Sequence, residues 1–381
     1  MTRLYLVAGE KSGDLHGAEL MRALRAREHE LEFCGRGGPA MRQLAGGRFH
    51  DWIEQAGVVG LWEVLKHYRY FRREFAATIR EVAQLQPRAV VLIDYPGFNV
   101  RLARALRRKV PRAKIIYYIS PQVWAWNRRR VHAMARCIDL MLCIFPFEPE
   151  LYASAGLRAL FVGHPMTSAF AHSEPDRPRD KRLIGIFPGS RVREVKKILP
   201  VMLSAAREIS RSRPELRFEI SAASEPLARI IEGMLGSSAA QFPTSIAQSR
   251  ELMKRAGAAM IASGTATLEA ALSRLPFVLV YRVAWLTYFA ARLIVRVKHL
   301  GMPNVLAGRE IVPEFIQHKA RPRDIARAVI RLLEYETVRA EMLRSFDAVA
   351  GALGAGASAN TTAEDAILAE LESFRAPAAR P

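Results

Sequence analysis

Short apolar runs recur along the chain, each followed by a stretch in which apolar residues return every three or four positions. Residues 4–8, 31–34, 89–94, 114–119, 140–144 and 159–162 read as buried strands, and residues 14–26 carry Leu15, Leu20, Met21 and Leu24 at helical spacing. Strands alternating with helices predict a parallel, doubly wound α/β sheet. After Gly163-His164-Pro165, residues 171–182 (AHSEPDRPRDKR) carry proline and charge without an apolar period, so they read as an interdomain linker. A second series follows, with strands at 183–187, 217–221, 258–262 and 276–281 and helices at 196–211 and 267–274. From residue 323 the chain reads as helical, with a Gly/Ala-rich break at 351–358 and six frayed terminal residues. At 381 residues there is chain enough for two cores. The expected architecture is two α/β domains facing one another across a cleft.

Two apolar stretches depart from this rhythm. Residues 275–297 are interrupted by Arg282, Arg292 and Arg296, which are costly in hydrocarbon, so a buried strand and an amphipathic helix at 285–297 are expected rather than a membrane span. Residues 60–75 (GLWEVLKHYRYFRREF) interleave Trp62, Leu65, Tyr68 and Phe71 with Lys66, Arg69, Arg72 and Arg73. A helix of that composition suits a membrane interface, although core packing or an RNA-facing patch is open on pattern alone. Charge widens the choice: 57 Lys and Arg against 37 Asp and Glu give a formal net charge of +20, which favours anionic partners. Three cysteines without C-x-x-C spacing suggest neither a disulfide framework nor a zinc knuckle, and the N-terminus lacks a signal-peptide pattern, so a reducing cytoplasm is expected.

Candidate chemistry lies where strands run into loops. The first strand ends in Gly9-Glu10-Lys11-Ser12-Gly13-Asp14, which has neither the dinucleotide G-x-G-x-x-G spacing nor that of a Walker A loop. Glu10 disfavours simple phosphate binding there and suits proton chemistry. The strand at 89–94 delivers Asp94 into a proline-stiffened turn, where it could act as a general base or cap the next helix. Ser120, Gln122 and Trp124 in YISPQVWAW resemble the wall of a sugar or acyl pocket, although aromatic core packing explains the tryptophans nearly as well. In the second half, Gly189, Ser190 and Arg191 offer amides and a guanidinium suited to a diphosphate, or a capped turn with a solvated arginine. Ser263, Gly264 and Thr265 cluster at a helix start, with Glu269 one turn on as an acceptor for ribose hydroxyls. His16 and His164 read as structural.

VAGEKSGDLHG, the Asp94-Tyr-Pro-Gly-Phe-Asn turn, YISPQVWAW, FPFE at 145–148, VGHPM, FPGSR, ASGTATLE and MPNVLAGRE closely resemble, in order and spacing, the lipid-A-disaccharide synthase family. The match covers nearly the whole chain and is weakest in the linker and final helices. It implies a GT-B glycosyltransferase joining UDP-2,3-diacylglucosamine to 2,3-diacylglucosamine 1-phosphate, with inversion, no cofactor and no bound metal. It implies an acceptor-side, membrane-facing domain at 1–165, completed by helices at 345–375, and a UDP-sugar domain at 180–344. The family's essential carboxylates fall on Glu10 and Asp94, with Asp94 as base and Glu10 orienting the acceptor or sharing the proton. Its important Arg and Asn fall on Arg191 and Asn304, and an acid at the place of Glu269 binds ribose in GT-B relatives. Donor binding then rests on Gly189, Ser190, Arg191, Ser263, Gly264, Thr265, Glu269 and Asn304, with Ser12, Ser120, Gln122 and Trp124 on the acceptor side. Lys11 departs from the small polar residue frequent in relatives. An anionic membrane surface met by Trp62, Leu65, Tyr68 and Phe71, peripheral attachment to the cytoplasmic face of the inner membrane and no nucleic-acid partner follow, with oligomerisation left open. The muramyl-peptide N-acetylglucosaminyltransferase and the non-hydrolysing UDP-N-acetylglucosamine 2-epimerase share the second-domain logic but differ in the first-domain motifs. A non-catalytic basic RNA- or membrane-binding protein leaves the placed acids unexplained.

Overall fold

Most of the predicted strands are apolar almost throughout, which requires both faces of the sheets to be covered. The computed structural model describes residues 2–56, 68–167, 178–284, 298–354 and 361–372, and the chain divides into two units, Met1–Pro165 with Ala357–Pro381, and Met166–Gly356. In the first unit the strands are β1 (Thr2–Ala8), β2 (Leu31–Gly37), β3 (Phe49–Asp51), β4 (Ala89–Ile93), β5 (Lys114–Tyr118), β6 (Leu140–Cys143) and β7 (Ala159–Phe161). They form one parallel sheet in the order β3-β2-β1-β4-β5-β6-β7, and residues 4–8 and 89–93 are wholly buried at its centre. The chain winds outward from β1 to β3 and then returns to lay β4 on the other side of β1. Its winding therefore reverses between β1 and β4, the place where open α/β sheets bind ligands at their carboxyl ends. Ala8 is in register with Ile93, so the loops carrying Glu10 and Asp94 leave the sheet side by side.

The second unit repeats the scheme. Its strands β8 (Asp180–Phe187), β9 (Arg217–Ala222), β10 (Thr244–Ile246), β11 (Ala256–Ala262), β12 (Phe277–Tyr281) and β13 (Glu314–Ile316) are parallel, in the order β10-β9-β8-β11-β12-β13. Winding reverses between β8 and β11, where Phe187 is in register with Ile261. The Pro188–Arg191 and Ser263–Thr265 segments consequently emerge as neighbours.

Several boundaries differ from expectation. Strand β8 takes in residues 180–182 of the expected linker, because Asp180 pairs with Arg217 and accepts the Arg182 amide at 2.9 Å. Helices Val192–Ser212 and Thr265–Leu272 begin earlier than their apolar periods, directly at the two loops. Helix Glu336–Ala352 packs on helices Thr265–Leu272, Met302–Ala307 and Pro322–Glu334 within the second unit. The division falls after Gly356, not at 344, because a cut there would split that helix. Helix Ala363–Glu372 belongs to the first unit, where it packs on helix Lys11–Arg27 and Glu370 accepts Lys114 Nζ at 3.0 Å and Arg158 Nη1 at 2.7 Å. Residues 285–297, most of the linker, Trp62, Leu65 and the last six residues lie outside the described residues, as does the side chain of Tyr68. No helix among the described residues is long and apolar enough to cross a membrane.

Candidate active site

Asp94 and Tyr95 both adopt left-handed backbone conformations, φ 45° and 48°, which cost free energy for residues of this kind and persist only when neighbours enforce them. The enforcement is visible. The Asp94 amide donates to the Tyr118 carbonyl at 2.9 Å, and the Asp94 carbonyl accepts from the Tyr117 hydroxyl at 2.6 Å and from Asn99 Nδ2 at 2.8 Å. The Tyr95 ring lies against Gly9 so closely that a Cβ there would come within 2.2 Å of it. Trp52 stands edge-on to Tyr95 and donates its Nε1 to the Ala8 carbonyl at 2.7 Å. The two loops are thus locked together, and Glu10 acts electrostatically on Asp94. Burial, and after it the Glu10 charge, push the Asp94 carboxyl up to about 6, against the opposing pull of the Tyr95 amide. Asp94 is not a helix cap: the following helix, Pro96–Lys109, has Tyr95 at that position. Ser12 is exposed in the first turn of helix Lys11–Arg27, whereas Asp14 is buried and accepts the amides of Gly38, Ala40 and Met41.

The expected aromatic wall is mostly core. Trp124 is 7% exposed, edge-on to Phe145 and Phe147, and donates Nε1 to Glu148 Oε1 at 3.0 Å. Glu148 also accepts the Phe145 amide at 3.1 Å, and its burial pushes its carboxyl up to about 7, opposed first by the hydroxyl of buried Ser120. Gln122 alone of the three expected residues is exposed. His164 is buried and pushed down to about 4 by burial and by His16.

In the second unit a cavity of about 230 Å³ is lined by Gly189, Ser190, Ser263, Gly264, Thr265 and Glu269, with Glu194, Ser221 and Ser249 completing its polar rim. Gly189 and Gly264 have φ of +110° and +145°, conformations open to glycine and strained for other residues. Both lie at the start of helices whose first amides are free to bind an anion. Glu269 is raised by burial, with Arg250 opposing. Arg191 is exposed, is not among the lining residues, and pairs with Oε1 of Glu194, which is, at 3.1 Å. Asn304 is not among the lining residues. It is fully buried and spent: Nδ2 donates to the Val312 carbonyl and Glu314 Oε1, each at 2.8 Å, while Oδ1 accepts the Ile311 and Val312 amides. Each polar atom of the Asn304 side chain is thus engaged in holding the loop before β13. Among the described residues no group of three or more His, Cys, Asp or Glu could hold a metal ion.

Residues 4–358 match the family model described as Lipid-A-disaccharide synthetase. The chain belongs to the lipid-A-disaccharide synthetase family. Proteins named lipid-A-disaccharide synthase agree throughout. The one from Pseudomonas paraeruginosa is 38% identical over 379 residues, 97% of this chain and 98% of that one, and the one from Myxococcus xanthus is 35% identical over 96% and 97%. Solved structures support the GT-B fold alone. MurG of Acinetobacter baumannii has a TM-score of 0.56 at 12% identity, covering 98% of this chain and 100% of that one. The UDP-GlcNAc 2-epimerase of Neisseria meningitidis, solved bound to UDP-GlcNAc, reaches 0.60 at 12% identity over 98% of each chain. Family membership selects the synthase over these fold relatives. Glu194, Ser221 and Ser249 join the second-unit cavity in space, and none of them lies within the motifs that carry the family resemblance.

Proposed function

We propose that this chain is an inverting glycosyltransferase that joins UDP-2,3-diacylglucosamine to 2,3-diacylglucosamine 1-phosphate and releases UDP. The observation that carries this reading is the Asp94 carboxyl, held at a sheet switch point beside Glu10 and raised to about 6. A carboxylate of that basicity is ionised at neutral pH and accepts a proton more readily than an ordinary aspartate. As the acceptor 6-hydroxyl oxygen bonds to the anomeric carbon, its proton passes to Asp94 and the bond from that carbon to the UDP oxygen breaks on the opposite face. Glu10 orients the acceptor, with exposed Ser12 and Gln122 on the same side. The diphosphate charge that develops on UDP is met by the amides at Gly189, Ser190 and Thr265, with Arg191 swinging from Glu194 toward the phosphates. Glu269 receives the ribose hydroxyls.

The substrates are diacylated, and we place the protein at the cytoplasmic face of the inner membrane, docked through Trp62 and Leu65. Phe71 is withdrawn from that set, because its ring packs edge-on against Trp52 and joins the core. The test is UDP release from the diacylated UDP-sugar with and without the acyl sugar phosphate. Release should require the acceptor, and Asp94→Ala should lower kcat by about 10²–10⁴. Turnover indifferent to the acceptor would refute the transfer, and full activity in Asp94→Ala would remove only the assignment of the base.

A further inference from the structure

Between Asp94 and Asp139 the chain carries no acidic residue, and residues 101–136 hold eleven lysines and arginines. The fold gathers four of them. Arg104, Arg107 and Arg108, from the last turns of helix Pro96–Lys109, meet Arg136, at the end of helix Arg130–Ala135, around a cavity of about 380 Å³. Helix Pro96–Lys109 starts at the Asp94 loop and, at 1.5 Å per residue, carries this cluster roughly 20 Å away, to the opposite end of the sheet.

Arg107 is the anchored member. It pairs with Asp139, and donates to the Pro111 carbonyl at 3.2 Å and the Cys137 carbonyl at 3.5 Å. Asp139 is shared with the Ile115 amide at 2.7 Å, so the nearest carboxylate is already committed. Arg104 lies against the Cys137 thiol, while Arg108 and Arg136 are exposed. Two helix carboxyl ends favour cations here, but each supplies at most about half a negative charge. Four guanidiniums, one carboxylate and two helix ends leave roughly two uncompensated positive charges converging on a concave surface. A second cavity, of about 390 Å³ between Arg309 and Met342, provides the contrast: Arg309, Arg327 and Arg331 there face Glu310, Asp324 and Glu341, a balanced set.

We propose that the arginine cavity at the ends of these two helices binds a clustered phosphate anion, a second anionic site remote from the candidate active site. Guanidinium forks match phosphate oxygens two at a time, and four of them suit a diphosphate or a phospholipid headgroup better than a single carboxylate. The proposal does not depend on the glycosyl-transfer reading.

The test is titration of the full chain, with saturating UDP present to occupy the second-unit cavity, with inorganic pyrophosphate by calorimetry at low and high salt, together with cosedimentation on phosphatidylglycerol vesicles. Arg104→Ala/Arg136→Ala is compared with Arg211→Ala/Arg229→Ala, which removes the same charge from exposed helix surfaces of the second unit. The first pair should weaken pyrophosphate binding at least tenfold with the fold intact by circular dichroism, and the control pair should change it less than twofold. Loss of pyrophosphate binding with vesicle binding unchanged identifies a soluble phosphate as the ligand; loss of both identifies the headgroup. Failure of the wild type to bind pyrophosphate, or equal weakening by the two pairs, would overturn the proposal.

Discussion

A carboxylate must be ionised to take a proton, so with Asp94 as the proposed base its raised value sets a pH limit on the reaction. Below about 6 the carboxyl is protonated and the base is lost; above it the ionised form prevails and the rate levels off. The value has two causes that mutation can separate. Burial remains in Glu10→Gln, whereas the neighbouring negative charge, which favours protonated Asp94, disappears. The acid limb of kcat/KM should therefore move to lower pH in Glu10→Gln, with the plateau retained in part. An unmoved limb would mean that the two groups do not interact, and loss of turnover at every pH would transfer the base to Glu10. These acids were legible because each follows a buried apolar run, and a strand's carboxyl end is where a parallel sheet presents chemistry. Glu148 was not. Its buried, raised carboxyl depends on Trp124 and Ser120 folding over it, contacts 24 and 28 positions apart that no local period encodes. Trp124 misled for the same reason, since an indole beside polar residues reads alike whether it lines a pocket or donates to a buried carboxylate.

At the scale of elements, the central strands, the helices between them and the edge strand β7 follow from apolar period, while the other three edge strands do not. Strands β3, β10 and β13 are each three residues long, and only pairing with a longer neighbour makes them strands. The loop before β13 illustrates what local reading misses. Asn304, at a family motif, uses both donors and its acceptor to hold Ile311, Val312 and Glu314, and Glu314 in turn accepts the Leu300 and Gly301 amides at about 3 Å. Removing that side chain strands buried amides and a carbonyl, so Asn304→Ala should destabilise the protein by about 2–5 kcal/mol in urea denaturation. Affinity for the UDP-sugar should fall less than stability, because the side chain has no spare polar group for a ligand. Undiminished stability with a lost nucleotide site would restore direct contact.

The whole molecule carries +20 formal charges, no helix among the described residues is long and apolar enough to cross a membrane, and the attachment proposed above is a surface contact. Two terms then add: burial of aromatic and leucine side chains at headgroup level, and attraction of basic side chains at about 1 kcal/mol each near an anionic leaflet. They differ in their response to salt. Raising ionic strength from 0.1 to 1 M shortens the screening length from about 10 Å to about 3 Å and removes most of the second term, but leaves the first intact or strengthens it. Wild-type protein should therefore sediment with phosphatidylglycerol vesicles at low salt, release substantially at 1 M NaCl, and bind neutral vesicles weakly at any salt. Trp62→Ser/Leu65→Ser should lower binding at both salt concentrations and abolish the residue that survives at 1 M, since that residue is the apolar term alone. Phe71 is left intact in this experiment, because its contact with Trp52 ties it to the Tyr95 ring and through it to the Asp94 loop, where a substitution would disturb the candidate active site. Binding to anionic vesicles at 1 M salt that survives the double substitution would move the apolar contact elsewhere on the molecule.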